Sequence, residues 1–141
     1  MFIHQISVFI ENKYGKLSEI LALLGSENIR IIAATVADTS EYGILRLIVT
    51  ESEKAYKLLK DNNISANLTD VLAITCGSSA DSYAETLDCF TKSGLSIEYM
   101  YCFSLKEKSV LILRTNNRDA SREVIRRNNL NCLCKNDLIN L

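Results

Sequence analysis

The sequence repeats its own apolar pattern when it is shifted by 66 residues, along most of its 141 residues and without a gap. Such repeats constrain the fold strongly, because each copy must form the same supersecondary unit. Few residues are identical between the copies, but apolar positions fall on apolar positions. Matched pairs include Leu17 with Tyr83, Leu21 with Leu87, Leu24 with Phe90, Ile29 with Leu95 and Leu45 with Leu111. We therefore predict a duplication, with one domain over residues 1–68 and a second over 69–141.

The first copy alternates strand and helix patterns in the order βαββαβ. Runs of β-branched and aromatic residues predict its strands, and apolar residues at helical spacing predict its helices. Gly15 breaks the first loop, and Ser40-Glu41-Tyr42-Gly43 marks a turn between two strands. The predicted strands cover 2–10, 29–39, 44–50 and 64–68, and the predicted helices cover 17–28 and 51–63.

The second copy follows the same order, which is the ferredoxin-like plan. The predicted fold class is α+β, with two βαββαβ modules in tandem, each an antiparallel sheet that carries two helices on one face. Several strands are apolar on both faces, which predicts that the second face is covered by the other copy or by another subunit. The predicted strands cover 71–76, 95–105, 109–115 and 130–134, and the predicted helices cover 80–93 and 118–128.

Charge and hydropathy argue against two classes of partner. The formal net charge is −1, so no overall attraction draws the chain to nucleic acid or to anionic lipid. No apolar run reaches the roughly 18–20 residues that span a bilayer, and residues 1–10 do not form a signal peptide. We expect a cytoplasmic protein without a nucleic-acid or membrane partner.

The titratable residues do not suggest catalysis or metal binding. The five cysteines include no Cys-x-x-Cys pair, and each lies in an apolar segment, as expected for small buried side chains in a reducing compartment. The single histidine, His4, has no second imidazole to form a cluster. An enzyme would need a nucleophile or metal among clustered titratable groups. We expect a protein that is not an enzyme, with no catalytic residue, no metal and no cofactor.

The loop after the first strand and the start of the second strand resemble those of a known domain family. The resemblance is carried by Glu11-Asn12-Lys13-Tyr14-Gly15-Lys16-Leu17 and by Asn28-Ile29-Arg30-Ile31, with residues 69–74, 94–101 and 109–115 in the second copy. The chain looks like two ACT domains and little else. This resemblance implies a regulatory module that binds a free amino acid at an interface between domains or subunits. It also implies a partner among the enzymes of amino-acid metabolism. The strands that are apolar on both faces predict a homodimer or a higher even oligomer.

The resemblance implies a ligand site in the loop that follows the first strand. Gly15 would let the backbone approach a ligand, and the start of the helix at Leu17 would attract a carboxylate. Asn12 can both donate and accept hydrogen bonds. Arg30 stands where an asparagine often contacts the ligand amine, which favours a more acidic ligand. The candidate residues of the first copy are Asn12, Lys13, Tyr14, Gly15, Lys16, Leu17 and Arg30.

The second copy is predicted to carry a degenerate form of this site. Ser78 takes the place of Asn12, and Ser96 takes the place of Arg30. Asp81 takes the place of Gly15 and would put a negative charge where the ligand carboxylate belongs. We expect Asp81 to cap the helix instead of a ligand.

Other interpretations remain open at this stage. Asn12 and Gly15 also suit an ordinary turn, and Tyr99 and Tyr101 also suit an interface. The main alternative function is a ligand-free assembly module that packs on itself or on a partner enzyme. Two other functions are disfavoured. An RNA-binding module of the same plan would carry aromatic residues on its third strand, and a metal chaperone would carry Cys-x-x-Cys in its first loop, but the third strands contain no aromatic residue and the first loop contains no cysteine.

Overall fold

The computed structural model describes residues 1–11, 15–38, 41–105 and 107–141. They form two compact units, which we call the N-terminal unit (His4–Thr69) and the C-terminal unit (Asp70–Leu141 together with Met1–Ile3). Phe2 explains why the first residues belong to the C-terminal unit. Its ring lies 4.7 Å from the guanidinium of Arg118 and 5.3 Å from that of Arg122, measured to the ring centroid.

The N-terminal unit has the strand order β2-β3-β1-β4, and β1 and β2 both pair antiparallel with β3. Its core lies between the helices and one face of these strands, where Ile6, Leu24 and Leu47 are almost fully buried. The elements are β1 (Ile3–Glu11), α1 (Lys16–Ser26), β2 (Ile31–Asp38), β3 (Tyr42–Val49), α2 (Ser52–Asp61) and the first part of β4 (Ala66–Gly77).

The C-terminal unit has the strand order β5-β6-β4, and β7 pairs with β4. Its core is built in the same way, with Phe90 in the place of Leu24. The two ferredoxin-like modules predicted from the repeat are confirmed. The remaining elements are α3 (Ala80–Thr91), β5 (Ile97–Leu105), β6 (Lys108–Thr115), α4 (Arg118–Arg127), β7 (Asn131–Cys132) and α5 (Lys135–Ile139).

Two elements differ from the prediction. The strands predicted over 64–68 and 71–76 form one strand, β4, because no glycine or proline interrupts the extended backbone between them. The chain also ends in a short helix, α5, that the sequence pattern did not predict. Its first turn is held by the Asp137 carboxylate, which accepts a hydrogen bond from the Cys134 amide at 2.9 Å.

The strand registers of the two units correspond at the same shift of 66 residues. Equivalent side chains therefore occupy equivalent places in the two sheets, and a residue of one unit can be compared directly with its counterpart in the other. Ile10 lies opposite Gly43 in the N-terminal unit, as Cys76 lies opposite Ser109 in the C-terminal unit. In the same way, Asp38 lies opposite Gly43 and Ser104 lies opposite Ser109.

The sequence predicts that both faces of each sheet are buried, but side chains of the outer strands remain partly exposed to solvent. In β2, Val36 is 50% exposed and Ile31 is 38% exposed. In β5, a bulge between Ile97 and Tyr99 shifts the alternation, so that Ile97 and Met100 both pack on the core. Central positions such as Ile112 are buried on the face away from the helices.

Candidate functional site

The start of α1 lies at the edge of the N-terminal unit where β1 ends. Gly15 adopts a left-handed conformation, with φ of 80°, and its carbonyl accepts the first helical hydrogen bond from the Glu19 amide at 3.0 Å. A glycine has no side chain that could cap the helix, and a residue with a Cβ would be strained at this φ. The predicted site residues Asn12, Lys13 and Tyr14 lie outside the described residues.

A cleft of about 260 Å³ opens beside this helix start, and it contains Gly15 and Leu17 of the predicted site. Ile10, Leu17 and Val36 supply its apolar surface. Its size lies below the roughly 300–1,000 Å³ of sites for drug-sized ligands, which suits a smaller molecule.

Two carboxylates line the same cleft, Glu11 at the end of β1 and Asp38 at the end of β2. Gly43, at the start of β3, lies between these strand ends and leaves space where another residue would place a side chain. The positive end of the α1 dipole is on the helix side of the cleft, at Gly15 and Ser18. The cleft therefore lies between the N-terminus of a helix on one side and two acidic residues on the other.

The sequence profile of the ACT domain pair family matches residues 1–141. The chain belongs to the ACT domain pair family. It is similar over its whole length to protein BT0572 from Bacteroides thetaiotaomicron, whose crystal structure is 38% identical, with a TM-score of 0.94, 100% of this chain covered and 98% of that one. None of the curated proteins matches it.

Regulatory subunits of aspartate kinase share the fold of this ACT domain pair. The ligand-free subunit from Thermus thermophilus is 14% identical, with a TM-score of 0.64, covering 88% of this chain and 91% of that one. The subunit from Thermus flavus is also 14% identical, with a TM-score of 0.62 and coverage of 88% and 90%. At this identity the likeness concerns the fold alone.

Two predicted site residues of the N-terminal ACT domain lie away from the cleft. Lys16 lines a neighbouring cleft of about 490 Å³, together with Phe9 and Tyr42. Arg30 lies at the opposite end of β2, where the Thr50 amide donates to its carbonyl at 3.0 Å. Asp38 lies eight residues after Arg30, and each residue extends the strand by about 3.3 Å. Arg30 is therefore too far from Asp38 to reach the cleft of its own chain.

The predicted residues of the C-terminal ACT domain are dispersed in the same way. Ser78 is exposed in the loop before α3. The Ser96 amide donates to the Asn116 side chain at 3.1 Å, at the end of β5 that corresponds to Arg30. The predicted cap at Asp81 is wrong, because the Ser79 hydroxyl accepts from the Ser82 amide at 3.1 Å. Relative to the repeat, α3 begins two residues earlier than α1, which moves Asp81 into the first turn.

Sequence reasoning missed six cleft residues. Ile10, Glu11 and Ser18 adjoin the predicted loop along the chain, and the other three are Val36, Asp38 and Gly43. These last three lie far from the first loop along the chain and reach it only through the pairing of β1, β2 and β3. One signal was available. Strand ends on either side of the turn between β2 and β3 must meet at the same edge as the end of β1, since neighbouring strands are antiparallel.

The five cysteines of this ACT domain pair are free thiols. Burial raises the pKa of the Cys76 thiol, with a smaller opposing effect from a hydrogen bond with Thr86 and a further rise from nearby Cys102. Within the described residues, no three histidine, cysteine or acidic side chains are grouped as metal ligands. No helix in that part of the chain is long and apolar enough to cross a membrane.

Proposed function

We propose that this ACT domain pair is a regulatory module that binds a small amino acid in the cleft of its N-terminal unit. The observation that carries the proposal is that a helix start whose N-cap residue, Gly15, has no side chain lies across one small cleft from the acidic residues Glu11 and Asp38. A zwitterion matches this arrangement because its two charges have opposite sign and a fixed separation.

The ligand carboxylate would accept hydrogen bonds from the first amides of α1, where the helix dipole favours negative charge. Its ammonium group would face Asp38 and Glu11, as a charge-assisted donor to carboxylate oxygens. An aliphatic side chain would pack on Leu17 and Val36, which are 36% and 50% exposed. Two carboxylates at the cleft disfavour the acidic ligand that the position of Arg30 alone suggested.

A homodimer through β2 would complete this cleft. β2 ends the strand order of the N-terminal unit, so its outer edge is available for another strand. In a two-fold antiparallel pair of β2 strands, Arg30 of a second copy would lie beside the Asp38 end of the first. That arginine would offset part of the negative charge of the two carboxylates, whose remaining oxygens would bind the ligand ammonium, and the second copy would cover Val36.

The same exposed strand supports a second candidate, a ligand-free assembly module. In that case Val36 and Ile31 would serve only to pack against a second copy or a partner protein. For either candidate we propose that the pair itself is not catalytic and that an enzyme of amino-acid metabolism is the regulated partner. The names of its structural neighbours, regulatory subunits of aspartate kinase, support that class of partner. Its free thiols suit the reducing cytoplasm.

Thermal unfolding with each of the twenty amino acids separates the two candidates. A ligand for the folded state raises the melting temperature as its concentration passes its dissociation constant. Asp38→Asn should weaken binding about tenfold, since it removes a charged hydrogen-bond acceptor. Ser104→Ala, at the equivalent position of the C-terminal unit, is the matched control and should leave binding unchanged. If no amino acid raises the melting temperature of the parent, the assembly module is the better interpretation.

A further inference from the structure

The C-terminal unit contains a copy of the cleft edge in which every lining position has changed. Because the strand registers correspond, the ends of β4, β5 and β6 repeat the geometry of β1, β2 and β3. Buried positions of the first helices also correspond, since Ile20 and Leu24 of α1 match Thr86 and Phe90 of α3. The replacements are Cys76 for Ile10, Tyr83 for Leu17, Cys102 for Val36, Ser104 for Asp38 and Ser109 for Gly43.

Tyr83 is tied to this edge by hydrogen bonds. Its hydroxyl donates to the Ser109 hydroxyl at 2.6 Å, and the Ser109 and Ser104 hydroxyls are 3.3 Å apart. Ser109 is 0% exposed, so this chain of three hydroxyls is closed to solvent at its centre. Neither partner of the Tyr83–Ser109 hydrogen bond exists in the N-terminal unit, where Leu17 has no hydroxyl to donate and Gly43 has no side chain to accept.

We infer that Tyr83 is a built-in occupant of the second cleft, and that the residue pairs 17/43 and 83/109 decide which cleft accepts a ligand. The inference rests on the proposed function for the N-terminal cleft. The neutral hydroxyls of Tyr83, Ser104 and Ser109 form hydrogen bonds with one another at this edge. The same edge of the N-terminal unit carries two acidic residues, with Gly43 leaving open space between them. The consequence is one ligand per chain rather than two, with the C-terminal unit held permanently in its filled form.

Thiol labelling tests the plug without any ligand. Cys76 stands where Ile10 forms the wall of the open cleft, and it packs on the same core as Tyr83. In the double variant Tyr83→Leu with Ser109→Gly, iodoacetamide should modify Cys76 about tenfold faster, because a thiol reacts as the accessible thiolate. Tyr83→Phe keeps the ring and should label at nearly the parent rate. Peptide mass spectrometry separates Cys76 from exposed Cys134, whose rate should not change.

An unchanged Cys76 rate in a folded double variant overturns the inference. If faster labelling of half-buried Cys132 shows that the double variant has lost its fold, Ser109→Gly alone takes its place. This single variant removes the buried Ser109 side chain and opens the space beneath the ring, which Tyr83→Phe leaves filled, and a Cys76 rate equal to that of the parent then overturns the inference.

The reciprocal variant closes the N-terminal cleft. Leu17→Tyr with Gly43→Ser builds the plug, and a Cβ at Gly43 would lie 3.4 Å from the Ala37 carbonyl oxygen, within ordinary contact. The variant should lose at least about nine-tenths of the thermal shift given by whichever of the twenty amino acids stabilises the parent. Retention of the full shift overturns the inference. If no amino acid stabilises the parent, the proposed function fails, but the Cys76 labelling still decides whether Tyr83 closes the second cleft.

Discussion

The two units of this ACT domain pair share one backbone plan, but at the same edge one carries acidic side chains and the other carries neutral hydroxyl groups. In the N-terminal unit, two strand ends carry the carboxylates of Glu11 and Asp38 beside an open cleft. In the C-terminal unit, Tyr83 and Ser109 use their hydroxyl groups to close the equivalent place. Duplication preserves strand register because the core depends on it, whereas the residues at the strand ends are free to diverge.

The helix starts differ in the same direction. Both main helices of the C-terminal unit are capped by side chains, since Ser79 and Asn117 accept hydrogen bonds from backbone amides at 3.1 Å and 3.0 Å. In the N-terminal unit, the residues that precede α1 and α2 are Gly15 and Glu51, and neither provides a side-chain acceptor for a helix amide. Among the described residues, the C-terminal unit therefore supplies a side-chain acceptor at each of these two helix starts, while the residue before α1 supplies none.

The largest expected effect on stability comes from substitutions in the cores of the two units. Phe90→Ala should lower the free energy of unfolding by ~3–5 kcal/mol, and Leu24→Ala, at the equivalent position, by ~2–5 kcal/mol. Both side chains are almost fully buried, so each substitution leaves a cavity. Urea denaturation measures both losses, and exposed Val36→Ala is the control. A loss below about 1 kcal/mol for Phe90→Ala would show that the two cores are not packed alike.

The helix caps should distinguish the units by a smaller amount. Ser79→Ala and Asn117→Ala should each lower the free energy of unfolding by about 1 kcal/mol, because each leaves an amide without its acceptor. Glu51→Ala should change it by less than about 0.5 kcal/mol, since Glu51 supplies no cap. Chemical denaturation of the three variants tests this contrast, which disappears if Glu51→Ala costs as much as Ser79→Ala.

An ion pair in the C-terminal unit has no counterpart in the N-terminal unit. Arg118 lies 2.7 Å from Asp70, whereas the equivalent residues are Ser52 and His4. Asp70→Asn should lower the free energy of unfolding by ~0.2–1 kcal/mol, because the pair is only partly buried. The loss should shrink in 1 M salt, where the Debye length falls to about 3 Å. A loss that is independent of salt would assign the role of Asp70 to its hydrogen bonds instead.

The smallest expected effect concerns Cys132, which takes the place of the buried Ala66 of the first copy. Burial raises the pKa of the Cys132 thiol above its ordinary value of 9.0, so the folded state holds the proton more tightly than the unfolded state. Its contribution to stability is therefore present below pH 9 and is lost as the pH rises through the higher folded value. Cys132→Ala should flatten the fall in stability as the pH rises above 9.0, measured by urea denaturation. An unchanged slope would exclude this thiol as a source of the fall.

The repeat and its periodicity were sufficient to predict both modules, because apolar spacing encodes which face of each element is buried. They failed where local rules compete. Asp81 is an acceptable N-cap by residue type. However, α3 begins earlier than the repeat predicts, so Ser79 is the N-cap and its hydroxyl accepts the hydrogen bond from the Ser82 amide. The bulge after Ile97 escaped prediction for a related reason, since an extra residue in a strand leaves no mark in residue type.

The amino-acid sequence alone determined the duplication, the order of elements, the family resemblance and the placement of Gly15 and Leu17 beside a helix start. These are local properties, which depend on residues within one turn or one strand. Tertiary structure decided that Asp38, Val36 and Gly43 join that helix start, that Arg30 lies at the far end of β2, and that Tyr83 reaches Ser109. Those proximities come from antiparallel strand pairing and from the packing of helices on the sheet, which bring together residues that no local pattern relates.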